Sequence, residues 1–163
     1  MDVGILTVSD KGAAGEREDR SGPAVREIME SAGARIVRTE VVPDEPEAIK
    51  AFLVAWSDEG LDLILTTGGT GFSPRDWTPE ATKAVIEREA PGLAEAMRMA
   101  GLRATPKAML SRAVAGIRKS TLIVNLPGSP KAVQESLEAI LPALPHGIEI
   151  LKGTSAECGQ GKK

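Results

Sequence analysis

The sequence predicts an α/β domain of three layers, a mostly parallel sheet flanked by helices. Three observations carry that expectation. Short apolar runs at Val3–Val8, Leu61–Leu65 and Thr121–Leu126 alternate with amphipathic stretches, the order of repeated βα units. Proline stands where the first turn of a helix is due at Pro23, Pro46, Pro79, Pro91 and Pro130, a place where its missing N–H is not needed and its φ is already helical. A chain of 163 residues with 42% hydrophobic and 26% charged residues suits one domain with an ordinary core.

The elements follow in order. Val3–Val8 reads as a short apolar strand. Ser9–Asp19 is polar, charged and glycine-bearing, and is expected to be a mobile loop. Pro23 opens a helix with Val25, Ile28 and Met29 on one face, and Gly33 stops it. Arg35–Val42 alternates polar and apolar, as a strand at or near a sheet edge does. Pro46 opens the next helix, through Ile49, Phe52, Leu53 and Trp56, with Gly60 as its stop. Leu61–Leu65 is a strand that runs into a glycine-rich turn. Pro79 starts a helix after Thr78, and Pro91 another through Leu93, Ala94 and Met97. Ser111–Arg118 reads as an extended arm or an exposed strand. Thr121–Leu126 is a buried strand, and Pro130 begins the last main helix, through Val133, Leu137 and Ile140. Thr78 and Ser129 precede prolines and are suited to be N-caps. Residues 1–152 are expected to form the domain and 153–163 a flexible tail.

Composition excludes several function classes. Lys plus Arg is 20 against 23 Asp plus Glu, a net charge of −3, whereas general nucleic-acid binding rests on a basic surface. With 2% aromatic residues and no Tyr, stacking platforms for bases are not expected. The N-terminal stretch lacks a basic n-region and a long apolar run, so no signal peptide or membrane span is expected and the cytoplasm is the expected compartment. Cys158 is the sole thiol, which rules out an intrachain disulfide or a CxxC site. His146 is the sole histidine, so a zinc centre or a Ser-His-Asp triad is poorly supported.

In parallel sheets, ligands bind beyond the C-terminal strand ends. The loops Ser9–Gly22, Val42–Glu45, Thr66–Thr78 and Asn125–Ser129 all leave strands and can share one rim. The turn from Thr66 is neither a Walker A loop nor a dinucleotide fingerprint, because it lacks the closing Gly-Lys-Ser/Thr and its glycine spacing differs. Its glycines let backbone N–H groups approach an anion. Thr66, Thr67, Thr70 and Ser73 add hydroxyls, and Asp76 can bind Mg²⁺ directly or through water. Arg75 either helps hold phosphate or pairs with Asp76 to fix the loop. Asp44, between Pro43 and Pro46, is either an acid favouring a helix dipole or a second carboxylate near a metal. Asn125 through Lys131 repeats the strand–turn–helix logic. There Gly128 permits close approach, Ser129 caps, and Asn125 is placed to bond the edge of a base or a pterin. Ser9 and Asp10 offer polar groups on the same rim, and Ser111 with Arg112 is placed to meet an anionic ligand.

Thr67-Gly68-Gly69-Thr70-Gly71 with Pro74-Arg75-Asp76-Trp77-Thr78-Pro79-Glu80-Ala81-Thr82 resembles the molybdopterin-binding domain of the MogA/MoaB family, shared by the G domain of gephyrin. The resemblance extends through Val8-Ser9-Asp10-Lys11, Asp19-Arg20-Ser21-Gly22-Pro23, Val42-Pro43-Asp44-Glu45, Pro91 to Arg98, Leu110 to Arg118 and Asn125 to Lys131. The long polar loop after Ser9 is more similar to MogA than to MoaB.

The resemblance implies a molybdopterin-binding fold, commonly a homotrimer, and a Mg²⁺-dependent adenylyltransferase. ATP and molybdopterin would give adenylyl-molybdopterin and pyrophosphate. It implies Asp44 and Asp76 as the catalytic, Mg²⁺-holding acids. The implied contacts to ATP and molybdopterin are Ser9, Asp10, Thr67, Gly68, Gly69, Thr70, Gly71, Ser73, Arg75, Thr78, Ser111, Arg112, Asn125, Pro127, Gly128 and Ser129. A molybdenum insertase is the implied protein partner. Trp77 departs from the aliphatic residue common at that position and leaves the pocket wall there open. The competing readings are a non-catalytic molybdopterin binder or scaffold of the MoaB/gephyrin type, and a nucleotide pyrophosphatase or deamidase of the kind associated with CinA domains.

Overall fold

A computed structural model describes residues 1–154. The expected flexible tail from 153, and Cys158 with it, falls almost wholly outside the described residues. The strands are β1 (Asp2–Val8), β2 (Arg35–Val42), β3 (Leu63–Thr67), β4 (Arg88–Glu89), β5 (Ala115–Arg118) and β6 (Thr121–Leu126). The helices are α1 (Asp10–Ala13), α2 (Ser21–Ser31), α3 (Pro46–Asp58), α4 (Thr78–Val85), α5 (Pro91–Ala104), α6 (Pro130–Ile140) and α7 (Leu144–Leu151), with a 3₁₀ turn at Pro106–Leu110.

The six strands lie in the order β2-β1-β3-β6-β5-β4. β2, β1, β3 and β6 run parallel; β5 pairs antiparallel with β6, and β4 antiparallel with β5. β2 is thus an edge strand, as its alternation predicts. Successive residues of a strand face opposite sides, and the core divides accordingly. Val3, Ile5, Leu63, Leu65, Val124 and Leu126 pack with α2, α5, α6 and α7. Leu6, Val8, Ile64 and Ile123 pack with Ile49, Leu53 and Trp56 of α3 and Ala81 and Val85 of α4. This is the expected three-layer α/β arrangement. Each fully buried Leu or Ile contributes about 1.5–3 kcal/mol relative to exposure.

Several boundaries differ from the sequence reading. The segment after Ser9 is not all loop, because Asp10–Ala13 makes a helical turn whose first N–H groups are capped by Ser9; its Oγ accepts from the Gly12 N–H at 3.0 Å. α2 begins at Ser21, ahead of Pro23, because the Asp19 carboxylate accepts from the Gly22 N–H at 3.0 Å. Ser129 caps α6 as expected, accepting from Ala132 N–H at 3.3 Å. Thr78 does not cap α4; its hydroxyl turns back to donate to the Gly68 carbonyl at 2.9 Å. Ser111–Arg118 is an extended segment that ends in β5. α7 has no counterpart in the sequence reading, since Pro145 and Gly147 dilute its helical pattern.

Candidate active site

Four adjacent parallel strands end on one rim, so the loops after β1, β2, β3 and β6 meet there. They enclose a cavity of about 600 Å³ lined by Ser9, Asp19, Asp44, Thr67, Gly68, Gly69, Asp76, Gly128 and Ser129, among others. A second cleft of about 280 Å³ opens on the other side of the glycine turn, lined by Thr70, Gly71, Arg98, Lys107, Ser111 and Pro127, among others. The turn is therefore a wall shared by two cavities.

Backbone geometry explains the glycines. Gly68 has φ 95° and Gly69 φ 65°, the left-handed region that side chains disfavour. A Cβ on Gly68 would collide with the Val8 carbonyl oxygen, and one on Gly69 would collide with the Thr78 hydroxyl and reach within 3.2 Å of Asp44 Oδ1. A Cβ on Gly128 would lie 3.4 Å from the Gly68 Cα, so two loops approach through bare backbone. The Gly68 N–H donates to the Leu126 carbonyl at 3.3 Å and is not available to an anion. The N–H groups of Gly69, Thr70 and Gly71 have no protein acceptor among the described residues.

Asp44 is buried, 9% exposed, at the end of β2. Its Oδ2 accepts from the Asp10 N–H at 2.8 Å, and its own N–H donates to Asp10 Oδ1 at 2.9 Å. Burial first, then the charges of Asp10 and Asp76, push its carboxyl above the ordinary value of 3.8; the Asp10 N–H and Arg75 offset part of this. Asp76 accepts from the Ser73 N–H at 3.0 Å, which closes the turn. No Lys or Arg among the described residues lies within ion-pair distance of Asp44 or Asp76. Also among the described residues, no three His, Cys, Asp or Glu are grouped to hold a metal by themselves. Two unpaired carboxylates facing a polar cavity fit Mg²⁺, which takes one or two protein carboxylates and completes its shell with water and substrate phosphates.

Other residues read from sequence as ligand contacts are occupied by the fold. Asn125 is fully buried: its Nδ2 donates to Thr66 Oγ1 at 3.0 Å and Thr82 Oγ1 at 2.9 Å, and its Oδ1 accepts from the Val114 N–H at 3.2 Å. It clamps β6 to β3 and α4, with its side-chain oxygen and nitrogen both engaged inside the fold. We expect Asn125→Ala to lose about 2–4 kcal/mol through unpaired buried groups and a cavity, measured by denaturant unfolding. Thr67 and Thr78 are buried and donate to the Pro127 and Gly68 carbonyls at 2.6 and 2.9 Å. Arg112 donates to the Gly71 and Asp76 carbonyls, each at 2.7 Å, and pairs with Glu80. It fastens the turn to the chain ahead of β5.

Arg75 pairs with Asp10 and Glu45, not with Asp76. Ser73 is exposed, and its hydroxyl accepts from the Arg75 N–H at 3.3 Å. Trp77 lines neither cavity; its Nε1 donates to the Pro74 carbonyl at 3.1 Å, so its bulk leaves the pocket walls unchanged.

Asp19 is absent from the sequence-based set although it lines the larger cavity. Its carboxylate accepts from Thr7 Oγ1 at 2.8 Å, Ser21 Oγ at 3.2 Å and the Gly22 N–H. An acid three residues ahead of Gly22 is a helix-start signal that Pro23 obscured.

The chain matches the family described as "Probable molybdopterin binding domain" over residues 4–146. The molybdopterin adenylyltransferase of Helicobacter pylori strain J99 is 44% identical over 154 residues, covering 93% of this chain and 88% of that protein. Gephyrin of Dictyostelium discoideum is 46% identical over 159 residues, 91% of this chain, and the chain spans 22% of that longer protein. Among solved structures, the molybdopterin biosynthesis enzyme MoaB of Thermus thermophilus superposes with a TM-score of 0.89 at 59% identity, over 93% of this chain and 96% of that one.

Proposed function

The chain belongs to the molybdopterin-binding domain family, and we propose that it transfers AMP from ATP to the terminal phosphate of molybdopterin, releasing pyrophosphate. It is a nucleotidyltransferase of molybdenum cofactor biosynthesis. The observation that carries the reading is the meeting of Asp44 and Asp76, with no Lys or Arg among the described residues in ion-pair contact with either, over a glycine turn shared by two cavities.

A phosphate oxygen of molybdopterin attacks the α-phosphorus of ATP. The new P–O bond forms as the bond to pyrophosphate breaks, and no proton has to move because the attacking phosphate is already an anion. Each substrate occupies one cavity, and the reacting groups meet at the wall between them. The free N–H groups of Gly69, Thr70 and Gly71 hold anionic oxygens there. Asp44 and Asp76 would hold Mg²⁺, which would neutralise negative charge on the phosphates. Catalysis is positioning and electrostatics. A single-turnover assay with α-labelled ATP, Mg²⁺ and molybdopterin tests the reading. Pterin-dependent transfer of label supports it; tight pterin binding without transfer sinks it in favour of a binder.

Asp44 also predicts a pH effect on stability. Its folded-state pKa is raised, so the folded chain holds this proton more tightly than the unfolded chain. Ionising Asp44 therefore costs stability as pH rises from the unfolded value through the folded one, and the full cost is present above the folded value. Asp44→Asn keeps an oxygen for the Asp10 N–H. We expect it to melt higher than the unaltered protein at pH 7, with the gain gone below about pH 4, while turnover falls. Thermal melts over a pH series check this.

We further infer a homotrimer in the cytoplasm, with a molybdenum insertase receiving the product, on the family resemblance. Sedimentation of the unaltered protein tests the assembly. Among the described residues no helix is long and apolar enough to cross a membrane.

A further inference from the structure

Asp10 sits beside Asp44 on the rim, and two neighbouring carboxylates repel unless something holds them. Here each backbone N–H donates to the other's side chain, Asp10 N–H to Asp44 Oδ2 at 2.8 Å and Asp44 N–H to Asp10 Oδ1 at 2.9 Å. The exchange locks the loop after β1 to the loop after β2. Arg75 lies across both loops. Its Nε and Nη2 reach Asp10 Oδ2 and Oδ1 at 3.0 Å each, and Nη2 also reaches Glu45 Oε1 at 2.8 Å. The bidentate fork matches a carboxylate in both spacing and plane.

Asp10 thereby spends both oxygens on protein donors. Asp44 keeps Oδ1, which lies against Gly69 and has no protein donor among the described residues. Arg75 is 52% exposed and the Asp10 side chain 41%, and such pairs contribute little to global stability. The network does something else: it ties the glycine turn, the β1 loop and the β2 loop into one frame.

We propose that Asp10 is a positioning residue, with Arg75 as its anchor: together they aim the free oxygen of Asp44 at the wall between the two cavities, and neither side chain is a substrate contact. This rests on the reading of Asp44 as part of the transfer machinery. It departs from the expectation that Asp10 and Arg75 contact ATP and molybdopterin. Supporting groups of this kind typically cost about 10–100-fold when removed.

The test uses Asp10→Ala, Asp10→Asn and Arg75→Gln in the full chain, with the Asp10 variants also combined with Asp44→Asn. Asn at position 10 still offers an oxygen to the Asp44 N–H. Asp10→Ala and Arg75→Gln are expected to lower kcat about 10–100-fold, with KM for ATP and for molybdopterin moving less than about threefold, the mark of lost positioning. Asp10→Asn keeps the acceptor for the Asp44 N–H but loses the charge that Arg75 grips, so its kcat is expected to lie above that of Asp10→Ala and no lower than that of Arg75→Gln. In the Asp44→Asn background, Asp10→Ala should cost less than about threefold more, since the group it aims is already disabled.

A readout independent of activity is amide hydrogen exchange at Asp44, expected to be about tenfold faster in Asp10→Ala than in Asp10→Asn. A rise in KM at unchanged kcat, equal penalties in both backgrounds, or unchanged Asp44 protection would each overturn the proposal. If the unaltered protein transfers no AMP, the functional reading fails, and the exchange comparison alone decides whether Asp10 holds Asp44.

Discussion

Asp76→Asn is expected to reduce single-turnover AMP transfer by about 10²–10³-fold while ATP and molybdopterin bind nearly as before. The substitution is almost isosteric, and the amide oxygen can still accept the Ser73 N–H that closes the turn. The loop and both cavities should therefore persist. What disappears is one of two negative charges facing the place where two anionic phosphates approach each other. Rates measured against ATP and pterin concentration separate the effects, because a loss confined to the bound complex lowers kcat and leaves the binding curves in place. Turnover within about threefold of the unaltered protein would remove Asp76 from the machinery.

The second large effect is expected at Gly68. Gly68→Ala puts a methyl group against the Val8 carbonyl, a backbone atom that cannot rotate away, at a φ of 95°. Strain of this type costs about 1–3 kcal/mol, and relief by moving the turn would separate Asp76 from Asp44. We expect a melting temperature lowered by about 2–4 °C per kcal/mol together with loss of transfer. Gly33→Ala is the matched control: its φ is 84°, yet nothing lies within 4 Å of the added Cβ. The excess destabilisation of Gly68→Ala over Gly33→Ala measures the collision separately from the dihedral cost. Equal losses in the two variants would show that the Val8 contact is relieved cheaply.

Much of this was legible in the sequence where one physical signal spoke alone. Pro46, Pro91 and Pro130 mark helix starts to the residue, because proline's fixed φ and missing N–H suit the first helical turn. The glycine turn announced a strand end and an anion site for the same steric reason that its φ values express. Legibility failed where local and long-range partners competed. Thr78, Asn125 and Arg112 carry polar groups of the right kind in the right loops, but each is consumed by a partner distant in sequence, at Gly68, Thr66 and Gly71 respectively. Nothing in the local pattern reveals such a partner. Asp10 and Arg75, separated by 65 positions, are the same case on the exposed rim. α7 carries no clear local signal because Pro145 and Gly147 weaken a helix whose Leu144 and Ile148 are nonetheless buried in the core.

The two margins of the sheet have a bearing on how the protein behaves when concentrated. An open strand edge is a template on which another chain can polymerise. On one side β2 presents Arg35, Arg38 and Glu40, all exposed, so an incoming strand would have to dehydrate charges to pair with it. On the other side β4 is two residues long, Arg88 and Glu89, both exposed, and offers too little ladder to seed growth. A sheet built mostly of aliphatic residues thus ends, left and right, in margins that offer another strand a poor template.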